Sequence, residues 1–322
     1  MSERIEGASR RLLPGFVNRR SVLRAGLALL VVALFYYPVG MVITHAVDDD
    51  IAFEAGPADA IPGGSRAVAM AGALIGREVD RYRWVANDPW FLPPAALDNM
   101  PNYQQGIIGA LARFAFELTD QIGRTRGSSR TDADLQEASG QLQYAGDVWI
   151  FDFSTSWAPT TPSESRYRKA RRSLLAYNRR VADGTGVFER RVDNLLATLD
   201  RFALDLGSSS AALDQHIATG FGGPFDFKAD DLFYSVKGQT YAYYLLLREL
   251  GVDYANVIAE RELTGAWAQM LESMRRAAAL SPWVIINGDP DSVILPSHLA
   301  SQGFYLLYAR TKLREITNIL LK

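Results

Sequence analysis

The feature that most constrains this chain is a run of 20 residues without a charge, Ala25 to Thr44 (AGLALLVVALFYYPVGMVIT). At about 1.5 Å per residue, a helix over this run is roughly 30 Å long, the thickness of a bilayer's hydrocarbon. A cleaved signal peptide has a shorter apolar stretch, about 7–15 residues, and ends on a small-x-small site. Thr44-His45-Ala46 is a poor site of that kind. The run therefore reads as a retained transmembrane helix over residues 22–46, with at most a mild kink at Pro38. Arg4, Arg10, Arg11, Arg19, Arg20 and Arg24 precede the run or open it, and Asp48, Asp49 and Asp50 follow it. Positive flanks stay in the cytoplasm. The expected organisation is a basic cytoplasmic tail over 1–21, the span over 22–46, a linker over 47–64 and a periplasmic helical domain over 65–322. The expected location is a bacterial inner membrane.

Composition narrows the function classes. The whole chain of 322 residues carries a net charge of -2. Six Arg and two Glu precede Val47, which leaves 28 basic and 34 acidic residues beyond it, a net of -6. That balance argues against nucleic acid as a partner. Cysteine is absent, so disulfides, thiolate metal sites and cysteine catalysis are excluded. Histidine occurs only at 45, 216 and 298.

Beyond the span the hydrophobic spacing is helical. Asp48 to Asp50, Gly56-Pro57 and Gly63-Gly64 mark residues 47–64 as linker, with the aspartates as a solvated flank. Apolar residues three and four apart then predict helices from Ser65 to about Trp84 and from Pro101 to Ile122. A third opens at a Thr131/Asp134 capping box, and a fourth starts at Thr161 with Pro162 in the first turn and runs to Val181. Further helices are expected over 187–206, 229–250, 254–280 and 297–320, with a short helical piece at 214–219. Trp149, Phe151 and Phe153 alternate, which predicts an extended segment within 147–157. The fold class expected is all-α: one N-terminal transmembrane helix and a bundle of roughly eight helices with long aromatic-rich loops.

Motifs for chemistry are weak. Asn287, Asp289 and Asp291 resemble the start of a calcium loop, but Ser292 stands where glycine is required and His298 where glutamate is. Ser235-Val236-Lys237 has the wrong spacing for a Ser-x-x-Lys nucleophile, and no Gly-x-Ser-x-Gly exists. His216 reads as a capping or surface residue. No catalytic residue, metal ligand or cofactor is assigned. The aromatic clusters carry more information: Trp84, Trp90 and Phe91 in one stretch, Trp149, Phe151, Phe153 and Trp157 in another. Rings of this size either fold over a bundle or dock on a protein, lipid or glycan.

The stretches Trp84 to Pro89, Leu97 to Gln104, Arg124 to Gly127 and Trp157 to Ser163 are similar to a bacterial family, domain of unknown function 2333. The resemblance extends over the span and nearly all of the outer part. It implies an inner-membrane protein with one anchor and supplies no activity and no catalytic residues. Asp88, Asn99, Asn102, Gln104, Arg124 and Arg126 are polar residues inside those stretches, forming a candidate polar cluster. The expected function is that of a membrane-anchored periplasmic scaffold or accessory protein that binds an envelope protein partner through its aromatic loops. A cell-wall or lipid hydrolase, or a lipid- or ligand-binding bundle, is the alternative.

Overall fold

A single apolar helix, α1 (Arg19–Thr44), precedes the helical bundle. Its window Arg20–Ile43 has a mean hydropathy of 2.2 and no buried residue. Pro38 lies inside it. The structure, a computed structural model, describes residues 19–44, 47–93, 98–122, 131–151, 157–219, 226–282, 284–289 and 296–322. It is all-α, about 72% helical, with no strand among the described residues.

Among the described residues nine further helices form the bundle: α2 (Arg66–Gly76), α3 (Asn99–Glu117), α4 (Ala133–Leu142), α5 (Ser163–Ala182), α6 (Val192–Thr219), α7 (Phe227–Asp253), α8 (Ala255–Glu260), α9 (Thr264–Ala278) and α10 (His298–Leu320). The central member is α7. Residues Tyr241 to Leu247 are all buried, and a helix apolar on every side belongs in the middle of a bundle. It packs on α2, α3, α6, α9 and α10; α4 and α5 pair on one side, α6 and α10 on another.

The closest approach is between α3 and α7, where two glycines let the backbones touch. A Cβ built on Gly238 would sit 2.1 Å from the Tyr103 carbonyl oxygen, and one on Gly106 would sit 2.1 Å from the Ser235 carbonyl oxygen. Any side chain at either position forces the helices apart.

Several boundaries differ from the sequence reading, each for a local reason. The helix expected to open at Thr131 is capped by Asp132, whose carboxylate accepts from the Asp134 and Leu135 amides. Pro162 is the N-cap of α5, one residue later than the Thr161 start. The helix expected over 187–206 begins at Val192 and runs on through the short piece expected at 214–219 as one continuous α6, within which Ser208 and Ser209 satisfy their hydroxyls on carbonyls four residues earlier. The single helix expected over 254–280 is broken into α8 and α9 at Glu262, which adopts φ 54°, a left-handed conformation that ends a helix. Of the extended segment expected within 147–157, residues 152–156 lie outside the described residues, and the flanks are loop.

Two helices end in a widened π turn, Arg77–Arg81 after α2 and Leu118–Ile122 after α3. The first turns both Arg77 and Glu78 into the core, where they pair at 2.7 Å. Arg83 then takes φ 63° and swings Trp84 inward.

Gly238→Ala is expected to destabilise the fold by about 3 kcal/mol, the upper end for overpacking a core. Gly109→Ala, on α3 but with nothing within 4 Å of its Cβ position, should stabilise by about 0.5–1 kcal/mol through helix propensity. Paired denaturant titrations of the two variants measure both.

Candidate functional site

Residues 47–53 run along the bundle as a strap. Tyr103 donates its hydroxyl to the Asp48 carbonyl at 2.8 Å, Tyr241 to the Asp50 carbonyl at 2.8 Å, and Tyr82 to the Asp48 carboxylate at 2.6 Å. Arg248 donates to the carbonyls of Ile51 and Phe53. The Phe53 ring lies under the Arg77 guanidinium, 4.8 Å to its centre. The aspartate triplet is therefore not the solvated flank that composition suggested. It supplies acceptors to donors that α2, α3 and α7 bring to the bundle surface.

Lys237 shows why the strap is needed. Its side chain is 1% exposed. An ammonium has three N–H donors, and here they go to Asp49 Oδ2 at 2.6 Å, Ser281 Oγ at 2.7 Å and the Leu280 carbonyl. Ser281 also donates to Asp49 Oδ2 at 2.6 Å. Burial pushes the Lys237 pKa down, opposed by Asp49. Burial would raise the Asp49 pKa, but the hydrogen bonds from Lys237 and Ser281 hold it below the usual carboxylate range. The contact of Lys237 with Ser281 is the kind a serine nucleophile uses with a lysine base. A lysine with all three protons committed is a strut and not a base, because a base needs a free lone pair.

The aromatic residues come together across 60 positions of sequence. Trp90 meets Phe91 at 5.8 Å, Phe91 meets Trp149 at 5.9 Å, and Trp149 meets Phe151 at 5.4 Å, all edge to face. Asn87 ties the two loops from beneath by donating to the Val148 carbonyl and to Glu164. Trp90 is 82% exposed and Trp157 89%. Phe91 and Phe151 are exposed too, Trp149 is half-buried, and Phe153 lies outside the described residues. Trp84 is not part of this face. It is 2% exposed, donates Nε1–H to the Gly146 carbonyl at 2.7 Å and packs edge-on against Tyr167.

The same face adjoins α1. The Tyr37 hydroxyl donates to the Trp90 carbonyl at 3.3 Å. A Cβ on Gly40 would fall 2.3 Å from Pro93 Cγ, so the absence of a side chain there permits the contact. Tyr37, Gly40 and Met41 are the half-buried residues of α1 among those described, and their spacing of three and one puts them on one side of the helix near its C-terminal end.

The described members of the polar group singled out in sequence have separate partners. Gln104 is fully buried: its amide donates to the Glu78 and Arg83 carbonyls and its oxygen accepts from the Val85 amide, which fixes the left-handed Arg83 turn. Asp88 pairs with Arg83, and burial raises its pKa against that pairing. Asn102 donates to Asp231 at 2.7 Å, while Asn99 lines a small pocket with Asp230 and Tyr234. Arg124 and Arg126 lie outside the described residues. Asp231, one of the acids that the sequence left without an assignable partner, is next to Asp230 near the start of α7. Both are pushed up to about 6, first by burial and then by the Asp98 carboxylate facing them.

Other candidate chemistry is accounted for structurally. His216 Nε2 lies 2.9 Å from Asp226, which also caps α7 and accepts from Asn287. His298 Nδ1 accepts from the Ile286 amide. A cleft of about 520 Å³ holds Glu249 and Asp253 in its wall. Glu249 pairs with Arg66 and Arg248, and Asp253 accepts from the Arg66 and Ala67 amides and the Ser65 hydroxyl at the start of α2. No cluster of three metal-ligating side chains occurs among the described residues.

Fold and site define a helical bundle strapped at its N-terminal edge, with an exposed aromatic face beside a long apolar helix. The chain belongs to DUF2333, a family described as an uncharacterized protein conserved in bacteria, which matches residues 66–220 and 226–321. The match begins at the first residue of α2, so α1 and the strap lie outside it, whereas the sequence resemblance was read across the span as well. Neither a curated protein nor a solved structure matches the chain.

Asp49→Asn should destabilise the protein by about 3 kcal/mol, the low end for breaking a buried pair because Asp49 keeps some contact with water. Asp50→Asn, with an exposed carboxylate, is expected to stay within about 0.5 kcal/mol of the parent; chemical denaturation compares them. A second expectation concerns pH. The folded pKa values near 6 exceed the unfolded value of about 3.9. The folded state therefore binds more protons between pH ~4 and ~6, and stability falls as pH rises through that window. Asp231→Asn should raise the melting temperature at pH 7 and shrink the difference between pH 5 and pH 7.

Proposed function

We propose that this protein is a single-pass accessory protein or scaffold of the bacterial cell envelope. In this reading α1 crosses the inner membrane with its N-terminus in the cytoplasm. The strap then holds the helical domain in the periplasm, close to the membrane, where its aromatic face docks on an envelope component. The observation that carries the reading is the strap itself. Three peptide steps separate Thr44 from Val47, at most about 11 Å, and from Asp48 onward the backbone is hydrogen-bonded to α3 and α7. A helix that served only as a cleavable export signal has no need of such a fixed junction with the domain behind it.

The arginine-rich flank before α1 and the aspartates after it support the orientation. The engaged state of the carboxylates in the Glu249 cleft and of Lys237 favours a scaffold over a hydrolase. The membership in a bacterial family supports the bacterial setting.

The test uses the absence of cysteine. Full-length chain is expected to remain with membranes after alkaline carbonate extraction. In cells with a permeabilised outer membrane, Phe304→Cys should react with a membrane-impermeant maleimide and Ser2→Cys should not. Release by carbonate, a mature chain shortened at its N-terminus, or the reverse labelling pattern would overturn the reading.

A further inference from the structure

The aromatic face lies beside the end of α1 that leads into the strap. From Tyr37 to Ile43 is six residues, about 9 Å along the helix axis. Apolar faces that lie in a membrane interface enter it by about 5–10 Å. Trp and Tyr gather at that depth because their rings are apolar and their N–H or O–H groups are not. The loops carrying Trp90, Phe91, Trp149 and Phe151 are therefore held level with the boundary between headgroups and acyl chains.

We propose that this face is a membrane foot, and that the component it docks on is the outer surface of the same bilayer that α1 crosses. The inference rests on the anchored reading above and names the partner of that site. Three observations favour lipid over a protein occupant. The face is continuous with α1 through Tyr37, Gly40 and Met41, so a layer surrounding α1 at that level meets the rings as well. The charges on the Trp90 loop, Arg83 and Asp88, are paired with each other, so that loop presents its rings without an unmatched charge from this pair. The rings are joined to one another edge to face, Trp90 to Phe91, Phe91 to Trp149 and Trp149 to Phe151, into one apolar patch that carries no charged side chain of its own. Trp157, 89% exposed, precedes Thr160 by three residues, and the Thr160 amide donates to the Ile150 carbonyl at 2.8 Å.

The experiment uses full-length chain in vesicles of phosphatidylethanolamine and phosphatidylglycerol, with single-cysteine variants carrying a nitroxide label. Trp90→Cys and Phe151→Cys probe the foot. Leu30→Cys reports the middle of α1, and Phe304→Cys, exposed on α10, reports water. Collision with oxygen relative to a water-soluble nickel chelate is measured for each. The expected ratio at positions 90 and 151 is several-fold above that at 304 and below that at 30. Equality of 90 and 151 with 304, while 30 reads hydrocarbon, overturns the foot and leaves the anchor standing. A water-like reading at 30 as well overturns both. Labels that are water-accessible in these vesicles but shielded in native membranes would identify a protein occupant and overturn the proposal too.

Discussion

The structure depends on the desolvation of two cations on neighbouring helices. Lys237 on α7 and Arg77 at the end of α2 are both buried, and charge of this kind is tolerated in a core only when it is matched. Arg77 finds Glu78 beside it, the Tyr241 hydroxyl at 2.7 Å and two aromatic faces. Lys237 has no acid of its own within the helices; its counter-charge is Asp49, 188 residues away in sequence. The bundle is thus completed by a segment outside it. The cations, the tyrosine hydroxyls and Arg248 all present donors to one edge, and residues 48–53 answer with carboxylates and carbonyls.

That arrangement explains how much of the molecule was legible. Helices whose apolar residues recur at three and four, such as α2, α3 and α10, could be read because burying a stripe is a local property of sequence. The seams were harder. Ser208 and Ser209 look like a break and are instead back-bonded within α6. Glu262 looks like a helix former, and its left-handed turn is imposed by α8 and α9 packing against α7. The aspartate triplet reads as a solvated flank because its donors come from three other helices, and no window of sequence contains them.

The aromatic face divides in the same way. Trp84 and Trp90 share a stretch of sequence, yet one is core and the other surface: the backbone reverses at Arg83, just before Trp84, which turns inward, and the loop has left the core by Trp90. Two signals in the sequence pointed to that reversal only indirectly: Gln104, whose three hydrogen bonds hold it, and the Asn-Asp-Pro that follows. The joining of the two loops through Phe91 and Trp149 is a long-range contact that composition does not encode.

The strap also sets the geometry of encounter. A domain on a loose tether explores a volume whose radius grows with the tether. Here the backbone is bonded to the bundle from Asp48 onward, and the longest helices, α6 and α7 of 28 and 27 residues, are each about 40 Å long. With α1 in a bilayer, a domain tied this closely to its anchor stays beside the membrane surface. Whatever it meets must arrive within a thin layer over the membrane, so its search becomes a problem in two dimensions, governed by lateral diffusion and surface density and not by concentration in the surrounding space.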